Sequence, residues 1–286
     1  MSAATGVMNE QAFRELVEPY RRALEIHCYR MLGSRHDAED LVQETLLRAW
    51  RSFDRFEGRA TVSTWLYRIA TNACLDEIER RPRRAEPLVE PYPDDRLAEA
   101  GTPVADPAAR YALREGMELA LLTAIQRLPG RQRAVLILRD VLGWSGPEVA
   151  ELLETSVAAV NGALQRARAT IDGAVPASSA RSVRREADRE LLRKYVDAWE
   201  RQDFGALVAL LREDAVLSMP PRAAVVGAVE IAAFFGSHCG GASRLRATAG
   251  SANGRPAVLL HDPDGAPHRL LVLESDADGL AFAHIR

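Results

Sequence analysis

The sequence predicts a multidomain protein: two all-α helical domains, the second built around a helix-turn-helix, followed by an α+β domain. Three observations predict it. Apolar residues recur at helical spacing through most of residues 11–171. A proline-rich stretch interrupts them at residues 82–112 and a small, polar stretch follows at 175–187. Beyond that point the pattern shortens to strand-length segments separated by Asn-Gly and Asp-Gly turns. A length of 286 residues suits two or three small domains rather than one core.

The first helix covers residues 11–32, with Phe13, Leu16, Val17, Tyr20, Leu24, Cys28 and Met31 in register and Gly33 ending it. Asp37 is expected to cap the second, DAEDLVQETLLRAW (37–50), whose apolar face holds Ala38, Leu41, Val42, Thr45, Leu46, Ala49 and Trp50. The opposite face shows Glu39, Asp40, Gln43, Glu44 and Arg48. A third helix covers residues 61–81, with Trp65, Leu66, Ile69, Ala73 and Ile78 inward and Arg68, Thr71, Asn72, Asp76 and Arg80 elsewhere.

Six prolines and scattered acids make residues 82–112 an extended linker. A helix at 113–128 follows, then LPGRQRAVLILRDVLGWSGPEVAELLETSVAAVNGALQRARATI (128–171). Pro129 opens a helix there and Gly143 closes it; Ser145-Gly-Pro-Glu148 has the form of a capping box for a second. After a turn at Glu154-Thr155, Ser156 is placed to cap a longer helix with Asn161, Gln165, Arg166 and Arg168 on its polar positions. Two short helices, a tight turn and a longer helix describe a helix-turn-helix. By patterning alone, an ordinary helical hairpin with a solvated arginine face stands at even odds with a DNA reader.

Residues 188–202 and 203–213 are predicted helices, Ala215–Met219 a strand, and 230–235 a helical turn. Strands follow at 243–252, 257–261, 268–274 and 280–285 as consecutive antiparallel hairpins.

The formal charge of −3 is unusual for a protein that holds DNA unaided, because phosphate neutralisation supplies much of such affinity. The basic residues are nearly all arginine, Lys194 being the only lysine. No apolar run reaches the length of a membrane span and the N-terminus lacks the order of a signal peptide, so a cytoplasmic protein is expected. Cys28, Cys74 and Cys239 lie far apart, without a CxxC pair or ligand-spaced His/Cys cluster; neither a disulfide framework nor a metal site is expected, nor any cofactor.

DAEDLVQETLLRAW, STWLYRIATNACLDEIERR and the 128–171 stretch, in that order and separation, resemble the extracytoplasmic-function (ECF) group of sigma-70 family sigma factors. The resemblance implies a promoter-specificity subunit that binds core RNA polymerase, through its clamp and flap regions, together with promoter DNA. The alternative is a stand-alone helix-turn-helix regulator with a ligand-sensing or isomerase-like C-terminal domain. As the resemblance divides the chain, residues 1–85 are sigma region 2, 86–112 an acidic linker, 113–175 sigma region 4, 176–187 a second linker and 188–286 the extra domain. It puts Asp40, Gln43, Glu44 and Arg48 on polymerase, and Tyr67, Arg68, Asn72 and Arg80 on the single-stranded −10 element. Ser156, Ala158, Ala159, Asn161, Gln165, Arg166 and Arg168 fall to the −35 duplex. Trp65 sits in the apolar stripe and is expected in the core. Glu90, Asp94 and Asp95 either imitate nucleic acid inside polymerase or belong to a solvated tether.

EDAVLSMPP and the later Gly227…Phe234-Phe235 resemble the SnoaL-like branch of the nuclear-transport-factor-like α+β cone. That implies a regulatory domain with a pocket, beside or in place of a separate anti-sigma factor. Tyr195, Asp214, His238, His261 and His268 are the candidates for acid–base chemistry, which is not expected, since a fold does not confer a reaction.

Overall fold

The first helix, α1 (Glu10–Leu32), stops where Gly33 takes φ +73°, a left-handed conformation, and donates its N–H to the Tyr29 carbonyl. The computed structural model describes residues 10–56, 58, 60–81, 89–93, 119–172, 181–218, 224–238, 245–276 and 279–285. The chain divides into two compact units, residues 1–90 with 98–175, and residues 91–97 with 176–286.

In the first unit, α1 packs on α2 (Arg35–Ser52) and α3 (Val62–Arg80). The cap of α2 is Ser34, not Asp37: the Ser34 hydroxyl accepts the Asp37 N–H at 3.3 Å. Asp37 lies inside the first turn, where its charge favours the helix dipole and it pairs with Arg81 at 2.9 Å. Thr61 caps α3. Leu24, Cys28, Val42, Ala49, Leu66, Ala70 and Cys74 form the core between them. Cys28 and Cys74 are both fully buried, and burial pushes the Cys74 thiol well up, aided by its hydrogen bond to Cys28. Cys239 lies outside the described residues.

The same unit continues through α4 (Leu119–Arg127), α5 (Gly130–Leu136) with a π turn at Ile137–Val141, α6 (Gly146–Leu152) and α7 (Val157–Asp172). The capping box at Ser145 and Glu148 is formed, at 3.4 and 2.7 Å, and Gly143 turns the chain at φ +71°. Val149, Leu152, Leu153, Val160, Leu164 and Ala167 bury the apolar stripes of α6 and α7 against Ala134–Leu138. The helix expected at 113–128 is described from Leu119 onward.

The second unit opens on α8 (Arg181–Glu200), which begins inside the stretch expected to be linker. Asp203 caps α9 (Phe204–Leu210), accepting the Ala206 N–H at 2.9 Å. Six strands form one sheet: β1 (Leu211–Ser218), β2 (Val225–Val226), β3 (Arg246–Ala252), β4 (Arg255–His261), β5 (Pro267–Asp276) and β6 (Gly279–Ile285). Their order is β2-β1-β6-β5-β4-β3, with α10 (Ala228–His238) after β2. The three closing hairpins are antiparallel as expected, but β1 lies parallel to β6, a long-range pairing that local turn signals do not carry. Leu192, Tyr195, Trp199, Leu207, Ile231 and Phe235 cover one face of the sheet on Ala247, Val258, Leu260, Leu271 and Leu273. Trp199 Nε1 donates to the Leu245 carbonyl at 3.1 Å, satisfying the indole where it is buried.

Candidate nucleic-acid and polymerase interfaces

On α2, Asp40 and Gln43 are exposed, while Glu44 and Arg48 pair at 2.8 Å. The Arg48 hydrogen bond holds the Glu44 carboxyl below its ordinary value. Leu47 and Trp50 interleave with this row and are 51% and 39% exposed, so α2 presents a mixed apolar and charged face. Trp50 was expected inside; its ring meets Phe13 edge-on at 5.1 Å yet keeps one side in solvent.

The residues of α3 divide. Arg68, Asn72, Asp76 and Arg80 recur every fourth position and share one ridge. Asn72 is exposed. Arg48 reaches Asp76 from α2 at 3.4 Å, offsetting the acid in the middle of the ridge, and Arg80 pairs with Glu77 at 3.1 Å. Tyr67 lies off the ridge and is only 6% exposed; its ring stands edge-on to His27 at 5.0 Å and to Trp144 at 5.8 Å. Burial pushes its hydroxyl up to about 12. In this conformation Tyr67 is a core side chain and offers no face to a base. Trp65, expected in the core, is half-buried and stacks in a tilted arrangement on Phe56, with Phe53 edge-on.

Two contacts bring the helix-turn-helix onto α3. Arg68 Nη2 donates to the Glu151 carbonyl at 2.9 Å and lies 3.4 Å from its carboxylate, and Trp144 seals the edge of Tyr67. A buried polar lock lies behind them. Arg133, at 6% exposure, donates to the carbonyls of Met31, Gln126 (2.7 Å) and Leu128 (3.1 Å) and to Gln126 Oε1 (2.5 Å). Gln126 in turn donates to the Arg30 carbonyl at 2.9 Å. These bonds fill the carbonyls that the last turn of α1 leaves open. Glycine at 33 is required here: a Cβ would sit 3.0 Å from the Gln126 side chain, on a backbone already at positive φ. Little in the sequence signals the lock: Arg133 stands at the head of the apolar run AVLIL, after Arg131 and Gln132, where an arginine would ordinarily be solvated.

On α7 the seven expected residues are all exposed. The Ser156 hydroxyl accepts the Ala159 N–H at 3.1 Å, forming the cap. Arg168 is held by both oxygens of Asp140 at 2.8 and 2.6 Å, so its guanidinium is shared with a carboxylate rather than open to phosphate. The Arg166 guanidinium lies over Gly162, where a Cβ would meet it at 3.4 Å. That is ordinary contact with the end of a flexible side chain, so nothing at this position requires glycine.

Glu90 belongs to the first unit: its N–H donates to the Gly33 carbonyl at 2.7 Å and its carboxylate accepts the Arg35 N–H at 2.8 Å. A carboxylate used in this way caps a helix start rather than imitating nucleic acid. Asp94 and Asp95 lie outside the described residues. In the second unit, Pro91, Tyr92 and Pro93 are buried. Asn253, at φ +50° in the β3–β4 turn, accepts the Tyr92 N–H on its Oδ1 at 2.6 Å and donates its own N–H to the Tyr92 carbonyl at 3.1 Å. Pro93 bridges Ala252 beside it.

The described acid–base candidates of the second unit are each buried or engaged by a neighbouring side chain. Tyr195 is in the core, Asp214 is forked by Arg212 at 2.8 Å, His261 meets Thr248 at 3.0 Å and His268 meets Asp262 at 3.2 Å. The His238 side chain lies outside the described residues. Among the described residues no group of three or more His, Cys, Asp or Glu is set to hold a metal, and no helix is long and apolar enough to cross a membrane.

A helix-turn-helix joined to a three-helix unit with an amide-and-arginine ridge, followed by an α+β domain, defines a multidomain transcription protein. Residues 16–84 match Sigma-70 region 2, 118–171 match Sigma-70 region 4 and 192–272 match the SnoaL-like domain. The chain is 41% identical to ECF RNA polymerase sigma factor SigG of Mycobacterium tuberculosis, over 93% of this chain and 78% of that one. It is 33% identical to SigW of Bacillus subtilis over 56% of this chain and 87% of that one. The crystal structure of the Mycobacterium tuberculosis extracytoplasmic function sigma factor SigJ shares the fold, covering 95% of each chain at a TM-score of 0.56 and 23% identity. The protein belongs to the ECF sigma factors and acts as an RNA polymerase sigma factor in transcription initiation.

Proposed function

We propose that this sigma factor lays α2 against the polymerase clamp, holds the −10 single strand on the α3 ridge, and places α7 in the major groove of the −35 element. The observation that carries this is the α3 ridge itself, with Asn72 exposed between two arginines. An amide supplies both donor and acceptor to an unpaired base, and the flanking cations supply phosphate contacts. The exposed Asp40 and Gln43 and the half-buried Glu44, with Leu47 and Trp50 beside them, support α2 as the polymerase face. Asn161, Gln165 and Arg166 on α7 support base and phosphate contact in the duplex.

The two promoter surfaces are not equally free. Arg68 can hold a strand phosphate only after leaving Glu151, so binding to polymerase must part α3 from the helix-turn-helix. The factor makes no covalent bond itself; it positions DNA for the polymerase. The C-terminal domain modulates this through the linker, because Asn253 holds the backbone of Tyr92 on both sides.

Transcription by purified core polymerase from a genomic promoter library, with and without the protein, tests the reading. New start sites sharing −35 and −10 motifs are expected, and their loss in Asn72→Ala supports the ridge. Tight operator binding by the protein alone, without core binding, would overturn it. For the linker, Asn253→Ala in the full chain should change promoter-driven transcription; unchanged activity sinks that part.

A further inference from the structure

The first turn of α7 is apolar where a DNA reader is usually polar. Val157 is 40% exposed, one of few large apolar side chains left in solvent among the described residues. Ala158 and Ala159 beside it are exposed as well. The Ser156 hydroxyl accepts the Ala159 N–H, so its acceptor serves the cap. The first side-chain amide on this face is Asn161, one turn after Val157 and on the same row.

Val157 is also held in place. A Cβ added to the buried Gly146 at the start of α6 would lie 3.4 Å from Val157 Cγ1, so one methyl packs on the preceding helix while the side chain stays partly open. A β-branched side chain fixed on one side has little freedom at χ1 and presents its exposed surface in one direction.

In the major groove only thymine offers a methyl group; guanine, cytosine and adenine offer donors and acceptors. An apolar side chain against those edges would strip water from a polar group and return no hydrogen bond. Against thymine it loses nothing and gains a contact. We propose that Val157 is a specificity-determining residue that reads the C5 methyl of a thymine in the −35 element, while Asn161 reads an adenine nearby through N6 and N7. The proposal rests on the placement of α7 in the −35 groove. It assigns discrimination to a side chain that carries no hydrogen-bonding group, and it works by excluding other bases as much as by favouring thymine.

The test uses holoenzyme assembled from core polymerase and the full chain. Its −35 preference is first defined by selection from random duplexes, and each −35 thymine is then replaced by deoxyuridine, which removes the methyl alone. At one thymine the wild type is expected to lose about fourfold in affinity, equivalent to ~0.8 kcal/mol for one buried methyl. Val157→Ala should abolish that difference at the same position, and Val157→Thr, which keeps a branched Cβ and a methyl, should retain it. Asn161→Ala should keep the thymine effect and relax choice at an adenine. Affinity unchanged by deoxyuridine at every position, or a loss that persists in Val157→Ala, overturns the proposal while leaving the −35 reading in place. A holoenzyme indifferent to scrambling of the whole −35 element overturns both.

Discussion

The α3 ridge and the α7 recognition face are both helical rows of arginine and amide side chains, and the fold treats them differently. Arg68 on α3 is held by Glu151, and its neighbour Tyr67 is buried under His27 and Trp144. On α7, Val157, Ala158, Ala159, Asn161, Gln165 and Arg166 stand in solvent, while Arg168 is held by Asp140. One face is open to solvent; on the other, Arg68 and Tyr67 are covered by the helix-turn-helix. The difference shows that a residue of the right type on the right helix is not yet a binding residue. What matters is which side chain of the same molecule already occupies its hydrogen-bonding capacity.

The largest test of that comparison is the lock behind α3. Arg133→Met removes a buried guanidinium and leaves the carbonyls of Met31 and Leu128 without it, which should cost about 3 kcal/mol of stability by urea unfolding. A loss under about 1 kcal/mol would mean that the helix-turn-helix is not anchored on the end of α1.

Next is pH. His27 lies fully buried against Thr71 at 2.9 Å, and burial, with the adjacent Arg30 charge, drives its value down to about 3 from an ordinary 6.5. The unfolded chain therefore takes up a proton between those values that the folded one refuses. The stabilisation is present in full above about pH 6.5 and is lost as pH falls towards 3, by up to ~1.4 kcal/mol per pH unit. Urea midpoints measured across that range should follow this slope, and His27→Gln should flatten it.

A smaller effect is expected at Glu151. Its pair with Arg68 is exposed, so Glu151→Ala should move stability by less than ~1 kcal/mol. The free protein should nevertheless bind a −10 single strand more tightly, by about two- to fivefold for the release of such a pair. Unchanged binding would show that the Glu151 carbonyl, which this substitution keeps, holds Arg68 without the carboxylate. Smallest is Asp140→Asn, which takes the Asp140 charge away from Arg168. It should steepen the salt dependence of −35 duplex binding by about one phosphate contact, a slope change of ~0.9. No change would leave Arg168 purely structural.

Much of this protein was legible before its structure because its signals are local. The capping box at Ser145 and Glu148, the cap at Ser156, the stop at Gly33 and the Asn253-Gly254 turn each depend on residues within a few positions of one another. The row spacing of Arg68, Asn72 and Arg80 is likewise fixed by helical repeat alone. Where the expectation failed, the cause was local backbone geometry in one case and partners distant in sequence in the others. Asp37 looked like a cap because Ser34 and Asp37 are both good capping residues, and only backbone geometry separates them. Trp50 and Trp65, both expected inside, are each partly open because apolar periodicity gives the inward face of a helix but not how far its neighbours extend over it. The parallel β1–β6 pair joins residues 66 to 69 positions apart, as in Leu211 with Leu280 and Val216 with Phe282, beyond the reach of any turn signal.

The sequence by itself determined most of the elements, their order, and which polar side chains share a helix row, since caps, turns and helical repeat act over short range. Tertiary structure alone decided that Tyr67 is interior, that Arg68 and Arg168 are each paired with a carboxylate, and that Asn253 holds the backbone of Tyr92. Each of those outcomes depends on two groups meeting across tens of residues, and packing, not propensity, chooses which polar groups satisfy one another.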